Sequence, residues 1–174
     1  MSTRWKFYWL AVAAMTAIYL VMVAWSLPYL KMLGGDPAFD LRPGGYTFAE
    51  ARGFIAALGP EGRAFYVNVQ HRLDLMYPAL LGAVLAIALV KLAPPRIGWL
   101  LAAVAVAGSV FDYLENHAVS VMLRAGPDGL TAEMVASASR WTVLKSAFSA
   151  LAMTALLALL VLKGIAWLRT RKGR

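Results

Sequence analysis

Apolar residues along this chain gather into four long runs, separated by polar and turn-forming segments. The runs cover residues 5–30, 73–91, 97–122 and 141–165. Each is close to or above the roughly 20 residues that cross a hydrocarbon core of about 30 Å. Pro28 bends or ends the first run. The pattern predicts an all-α fold, an integral membrane four-helix bundle built as one membrane domain, because a spanning helix satisfies its own backbone polar groups.

The segment 31–70 is too long for a bare connector. Gly34-Gly35-Asp36-Pro37 and Arg42-Pro43-Gly44-Gly45 are turn signals. Thr47-Phe48-Ala49-Glu50 fits a capping box, with Thr47 as N-cap and Glu50 reaching back. It opens a short amphipathic helix over 47–58, with Phe48, Ala51, Phe54, Ile55 and Leu58 on one face. Such a helix lies on the membrane or over the bundle as a lid, and the lid is the simpler expectation. The helix stops at Gly59. Pro60 starts another, which runs on into the second span with Pro78 as a kink. Lys91-Leu92-Ala93-Pro94-Pro95-Arg96 reads as a tight basic turn and Gly126-Pro127-Asp128-Gly129 as a loop. Thr131 caps the last helix, and 166–174 is a basic tail.

Composition sharpens this picture. The 174 residues are 61% hydrophobic and the mean hydropathy is +0.65, against about 45–50% apolar for soluble domains. There is no cysteine, which excludes disulfides, iron–sulfur clusters, thiolate zinc sites and a cysteine nucleophile. The first apolar run exceeds the 7–15 residues of a signal-peptide core, so a retained span is expected.

The net charge is +8, and its placement matters more than its size. Arg4, Lys6, Lys91, Arg96, Lys163, Arg169, Arg171, Lys172 and Arg174 fall on one side of the predicted bundle without an acidic residue. Lys31, Arg42, Arg52, Arg63, Arg72, Arg124 and Arg140 fall on the other, mixed with Asp36, Asp40, Glu50, Glu61, Asp128 and Glu133. The positive-inside rule predicts cytoplasmic N and C termini in a cell inner membrane. Aromatic residues near the span ends, among them Trp5, Trp25, Trp99 and Trp167, agree with interfacial belts. Basic residues that flank spans indicate anionic lipid headgroups as partners, not nucleic acid. A homo-oligomer or a membrane-complex partner remains compatible with the pattern.

Candidate chemistry lies inside the spans. Asp74, Asp112, Glu115 and Lys145 are each costly in lipid, by about 2.5–3.5 kcal/mol at the centre on insertion scales. They should face the bundle interior, and alternating span directions put all four at similar depth, near the non-cytoplasmic side. Ser109, Asp112, Glu115 and Asn116 form one polar stripe at helical spacing, and Ser139, Thr142, Lys145 and Ser149 form another with Trp141 beside it. His71, Asp74 and Pro78 share a face of the second span. These stripes predict a polar pocket opening outward over an apolar inner half. Asp112, Glu115, Asp74 and Lys145 are its candidate catalytic groups, and Asn116, His71, Trp141 and Ser149 its candidate ligand-binding groups.

Lys145 should pair with Asp112 or Glu115. Three carboxylates against one ammonium then leave an acid that stays protonated, takes another cation, or reaches Arg72, Arg140 or water. A metal would draw on His71, Asp74, Asp112 and Glu115. His117 points about 140° away from Asp112 at about 100° per residue, so the ligand count argues against a metal. No phosphate loop, nucleotide fingerprint or hydrolase triad is present, and no cofactor is expected.

Asp74-x-x-x-Pro78, Asp112-x-x-Glu115-Asn116 and Thr142-x-x-Lys145 resemble motifs of bacterial four-span membrane proteins of unassigned function. The resemblance covers about Tyr46 to Lys163 and implies a bundle with a polar site. The four spans with buried acids are also similar to the sterol-isomerase and sigma-2-receptor group. The chain does not follow that group's motif pattern, so none of its residues is carried over. The functional expectation is an outward-facing charged pocket for a small amphipathic ligand or lipid. Alternatives are a proton-coupled transporter or channel subunit and a structural or assembly subunit.

Overall fold

The computed structural model describes residues 2–172, without the side chain of Lys172. Arg174, assigned above to the basic tail, lies outside the described residues. Four helices are long and apolar enough to cross a membrane: α1 (Thr3–Gly34), α2 (Phe48–Leu92), α3 (Pro95–Gly129) and α4 (Ala132–Arg171). The helices outrun the apolar windows read from sequence, because their polar ends continue the same backbone geometry. α2 packs along α3 and α3 along α4, while α1 leans on α2. Both described chain ends share one end of the bundle with the α2–α3 turn, where the Lys91 ammonium lies 5.4 Å from the Trp5 ring centroid. The opposite end carries the 35–47 segment and is called the loop end below.

Two of the four helices are bent by a Gly–Pro pair. Gly59 (φ 62°, ψ −178°) breaks α2 into a first limb ending at Leu58 and a second limb opening at Pro60. Gly126 (φ 71°, ψ 179°) breaks α3 in the same way, just before Pro127. That corner of backbone space is essentially reserved for glycine. The first limb of α2 begins at Thr47, whose backbone N–H donates to Glu50 Oε2 at 2.7 Å while the Glu50 N–H donates back to Thr47 Oγ1 at 3.3 Å. Ala51, Phe54, Ile55 and Leu58 are buried against Leu30, Phe39, Met122, Leu123 and Val135. Phe48, counted on the same apolar face, is instead 40% exposed, because it sits at the limb's first turn beyond the edge of the bundle. Burying Phe54, Ile55 and Leu58 is worth about 1.5–3 kcal/mol each relative to leaving them in water.

Along the rest of the bundle the exterior is apolar. Leu10, Leu20, Leu75, Leu100, Leu151 and Leu157 are each more than half exposed. A monomeric soluble protein rarely shows so much contiguous apolar surface. The helices meet where side chains are small: a Cβ on Gly82 would collide with Ser109, and one on Gly108 would press Ser149. This close approach suits helices packed in lipid.

Two π-helical turns distort the regular pattern, Met22–Ser26 in α1 and Tyr66–Gln70 in α2. They face each other. Ser26 Oγ donates to Gln70 Oε1 at 2.6 Å, and Gln70 Nε2 lies 3.4 Å from the Met22 sulfur. Such turns each insert one residue into the helical repeat and recur at functional sites.

Candidate functional site

The site is built around one ammonium. Lys145, on α4, approaches Asp40 Oδ1 at 3.1 Å, Asp112 Oδ1 at 3.2 Å and Glu115 Oε2 at 2.5 Å. A lysine has three N–H donors, and here three carboxylates surround them. Asp112 and Glu115 come from α3, three residues apart and therefore on one face. Thr142, one turn before Lys145, donates to Glu115 Oε1 at 2.5 Å. Glu115 is fully buried behind this arrangement, and its contact with Lys145 is ionic.

Asp40 is the member that sequence reading missed. It sits in a short 3₁₀ turn, Phe39–Leu41, and the sequence groups it only with the mixed charges of the non-cytoplasmic side. The structure folds the loop inward instead. Ala38 and Phe39 are fully buried. Arg42 lies over the rings of Phe39 and Phe54 at 5.2 and 4.8 Å and donates to the Pro37 carbonyl at 2.9 Å. Asp40 Oδ2 then accepts from the Tyr66 hydroxyl at 2.5 Å. Burial works to raise the Asp40 pKa, but the Lys145 ammonium and the Tyr66 hydroxyl outweigh it and hold the carboxyl below its ordinary range. Burial likewise pushes the neighbouring Tyr46 phenol up, so it stays neutral. A signal was present in the sequence: apolar Ala38, Phe39 and Leu41 around an acid are unusual for a solvated loop.

Asp74 stands apart from Lys145. It is buried, and its carboxylate accepts from Gln70 Nε2 at 2.8 Å. Gln70 and Tyr66 are not singled out by the sequence, because the π-helical turns shift the facing of every residue read on a regular wheel. Among the described residues neither Arg72 nor Arg140 forms an ion pair, so neither takes the surplus negative charge.

The other candidates are dispersed. Asn116 reaches Asp112 Oδ1 at 3.4 Å, a weak contact. His71 hydrogen-bonds through Nδ1 to Ser120 at 2.8 Å, packs its ring on Tyr66 at 5.0 Å, and buries an unpartnered Nε2. It therefore does not join the acids. Trp141 stacks on Phe111 at 5.9 Å, away from the cluster. His117 is exposed. Ser109 donates to the Pro78 carbonyl at 2.7 Å and Tyr113 to the Leu75 carbonyl at 2.7 Å, serving backbone near the proline kink.

The grouping most like a metal site is Asp40, Asp112 and Glu115, whose ligand atoms lie within 4.8 Å of one another. It differs from the set read from sequence, since Asp40 replaces His71 and Asp74. The Lys145 ammonium occupies the position a cation would take among these carboxylates, so an ion would have to displace it.

A cleft of about 200 Å³ adjoins the cluster. Its floor is polar: Asp40, Gln70, Asp74, Asp112 and Lys145. Ser149 lies farther along α4, and Tyr19, Leu41 and Met153 form a half-exposed rim. The cleft opens on the flank of the bundle between α1 and α4. The outward opening expected from sequence is covered at the loop end by Ala38, Phe39 and Tyr46, because the loop packs over it. From Lys145 to Met153 the cleft follows α4 for about 12 Å at 1.5 Å per residue.

No family model matches the chain, and neither a curated protein nor a solved structure matches it with significance. The fold and composition define an all-helical protein with four helices able to span a membrane.

Proposed function

We propose that this is an inner-membrane protein whose charged cleft holds the polar end of a small amphipathic molecule or lipid and exchanges protons with it. The observation that carries the reading is the pairing of a polar floor with an apolar rim in one cleft on a lipid-facing flank. Asp74 and Asp112 are the groups that touch the ligand and act as acid or base. Lys145 stabilises developing negative charge, Glu115 and Asp40 hold its ammonium in place, and Asn116 orients Asp112. Among the described residues Asp74 has no basic partner of its own, which leaves it the natural group to take up or release a proton. The termini are cytoplasmic in this reading, since the end they share is purely basic. The absence of cysteine makes the orientation directly testable: a Ser2→Cys protein should resist an impermeant thiol reagent in intact cells and a Gly44→Cys protein should react.

A second reading treats the cluster as a helix lock in a structural or assembly subunit. It is favoured by the fact that the Lys145 ammonium is already surrounded by protein carboxylates. Proton transport finds less support. The core at the terminal end is Leu85, Leu89, Ala105 and Ala152, an apolar plug that a polar path would have to bypass through a second copy or another subunit.

Native mass spectrometry with lipid extraction separates the readings, applied to wild type, Asp74→Asn and Asp112→Asn. A specific co-purified molecule, lost in both variants while their melting temperatures stay within a few degrees, is the expected result. No bound molecule, together with a large drop in the melting temperature of Asp112→Asn, would leave the lock as the function of the cluster.

A further inference from the structure

The terminal end of the bundle holds a second cavity, of about 580 Å³, between the first turns of α1 and the last turns of α2. Arg4 and Lys91 sit at its polar end, and Trp5, Tyr8, Ala11 and Ile87 make its wall. Among the described residues neither cation has an ion-pair partner. The nearest acid along α3 is Asp112, 17 residues beyond Pro95, or about 25 Å at 1.5 Å per residue. That is well past a screening length of about 8–10 Å. Among the described residues nothing therefore compensates the positive charge of this cavity. The Lys91 ammonium is held against Trp5, and the Trp5 ring meets Tyr8 edge-on at 5.3 Å, so the cations are set in an aromatic frame.

We infer that this cavity is a binding site for an anionic glycerophospholipid. The phosphodiester lies between Arg4 and Lys91, and the glycerol backbone lies on Trp5 and Tyr8. An acyl chain follows Ala11 and Ile87 toward the exposed apolar surface of α1. The volume suits a headgroup and the start of its chains, falling in the range of about 300–1,000 Å³ typical of ligand sites. Basic pockets between spanning helices recognise anionic headgroups by this chemistry. The apolar wall selects a lipid over free phosphate: Phe7 lines the cavity and is itself 67% exposed, so the groove continues into the surface that faces the acyl chains.

The test compares delipidated wild type with Arg4→Gln/Lys91→Gln and with Arg96→Gln/Lys163→Gln. The second pair removes the same charge from the same end, from residues that do not line the cavity. Each protein is titrated in one detergent with phosphatidylglycerol or phosphatidylcholine, and lipid adducts are counted by native mass spectrometry. Wild type should prefer phosphatidylglycerol by roughly twenty-five-fold, about fivefold for each basic side chain near a membrane surface. Arg4→Gln/Lys91→Gln should lose that preference and Arg96→Gln/Lys163→Gln should keep it. Equal binding of the two lipids by wild type, or equal loss in both double variants, would overturn the site. Removal of the phosphatidylglycerol adduct by excess inorganic phosphate would overturn the lipid assignment.

Discussion

The hydroxyl of Ser26 donates to the side-chain oxygen of Gln70 at 2.6 Å, joining the last residues of two π-helical turns on neighbouring helices. The amide nitrogen of the same glutamine holds Asp74 at 2.8 Å. One side chain thus ties the distortion of α1 to the placement of an acid that lines the cleft. Replacing Gln70 by leucine strands the buried Asp74 carboxylate and leaves the buried Ser26 hydroxyl with only a long contact to the Met22 carbonyl at 3.5 Å. A stranded group costs about 1–3 kcal/mol, so Gln70→Leu should lower the thermal midpoint in detergent clearly more than Ser26→Ala. The six tryptophans provide the fluorescence signal. Equal effects would mean that Gln70 does not hold Asp74.

Lys145→Met should be the most damaging single change in the bundle. It leaves Asp40, Asp112 and Glu115 facing one another without a cation. Removing one partner of a buried ion pair costs about 3–5 kcal/mol. Lowering the pH protonates the stranded acids and removes their repulsion, so the gap to wild type should narrow. A gap that stays constant from neutral to acid pH would show that the carboxyls are already uncharged.

Asp40 makes a prediction of opposite sign for the native protein. Its pKa is lower in the fold than its ordinary 3.8. A depressed carboxyl contributes stability that is fully present above its unfolded value and is lost as the pH falls below it toward the lowered native value. Asp40→Asn should therefore destabilise the protein at neutral pH and flatten the acid limb of its stability profile below about 3.8. An unchanged acid limb would remove Asp40 from the cluster.

Two glycines of α2, one inside its first limb and one at the break that ends it, should respond in opposite directions to alanine. Gly59 adopts φ 62°, ψ −178°, a conformation that costs a side-chain-bearing residue about 1–3 kcal/mol. Gly53 is helical, with open space where a Cβ would lie, and alanine there should stabilise by about 0.5–1 kcal/mol. Melting temperatures of the two variants decide it, and a neutral Gly59→Ala would show that the corner is not fixed.

The parts of this molecule that follow local rules could be read from sequence. Four apolar runs gave four helices, Gly59-Pro60 broke α2 at the expected residue, and spacing put Asp112 and Glu115 on one face toward Lys145. What stayed hidden depended on distance along the chain or on broken periodicity. Asp40 meets an ammonium 105 residues later, and nothing near it in sequence names that partner. Gln70 ends a π-helical turn, where a wheel of about 100° per residue no longer reports facing. His71 and Asp74 lie about 60° apart by the same rule, which was enough to send one to Ser120 and the other to Gln70.

The separation of Asp40 from Lys145 also sets an order of events. A ribosome adds about 5–20 residues per second, so the loop acid exists for several seconds before its cation is made. By the end of that interval α1, α2 and α3 have been made while their acids still lack the Lys145 ammonium, and the loop rests on the burial of Ala38 and Phe39 and on the Tyr66 hydroxyl that donates to Asp40. The last helix to emerge is therefore the one that closes the site.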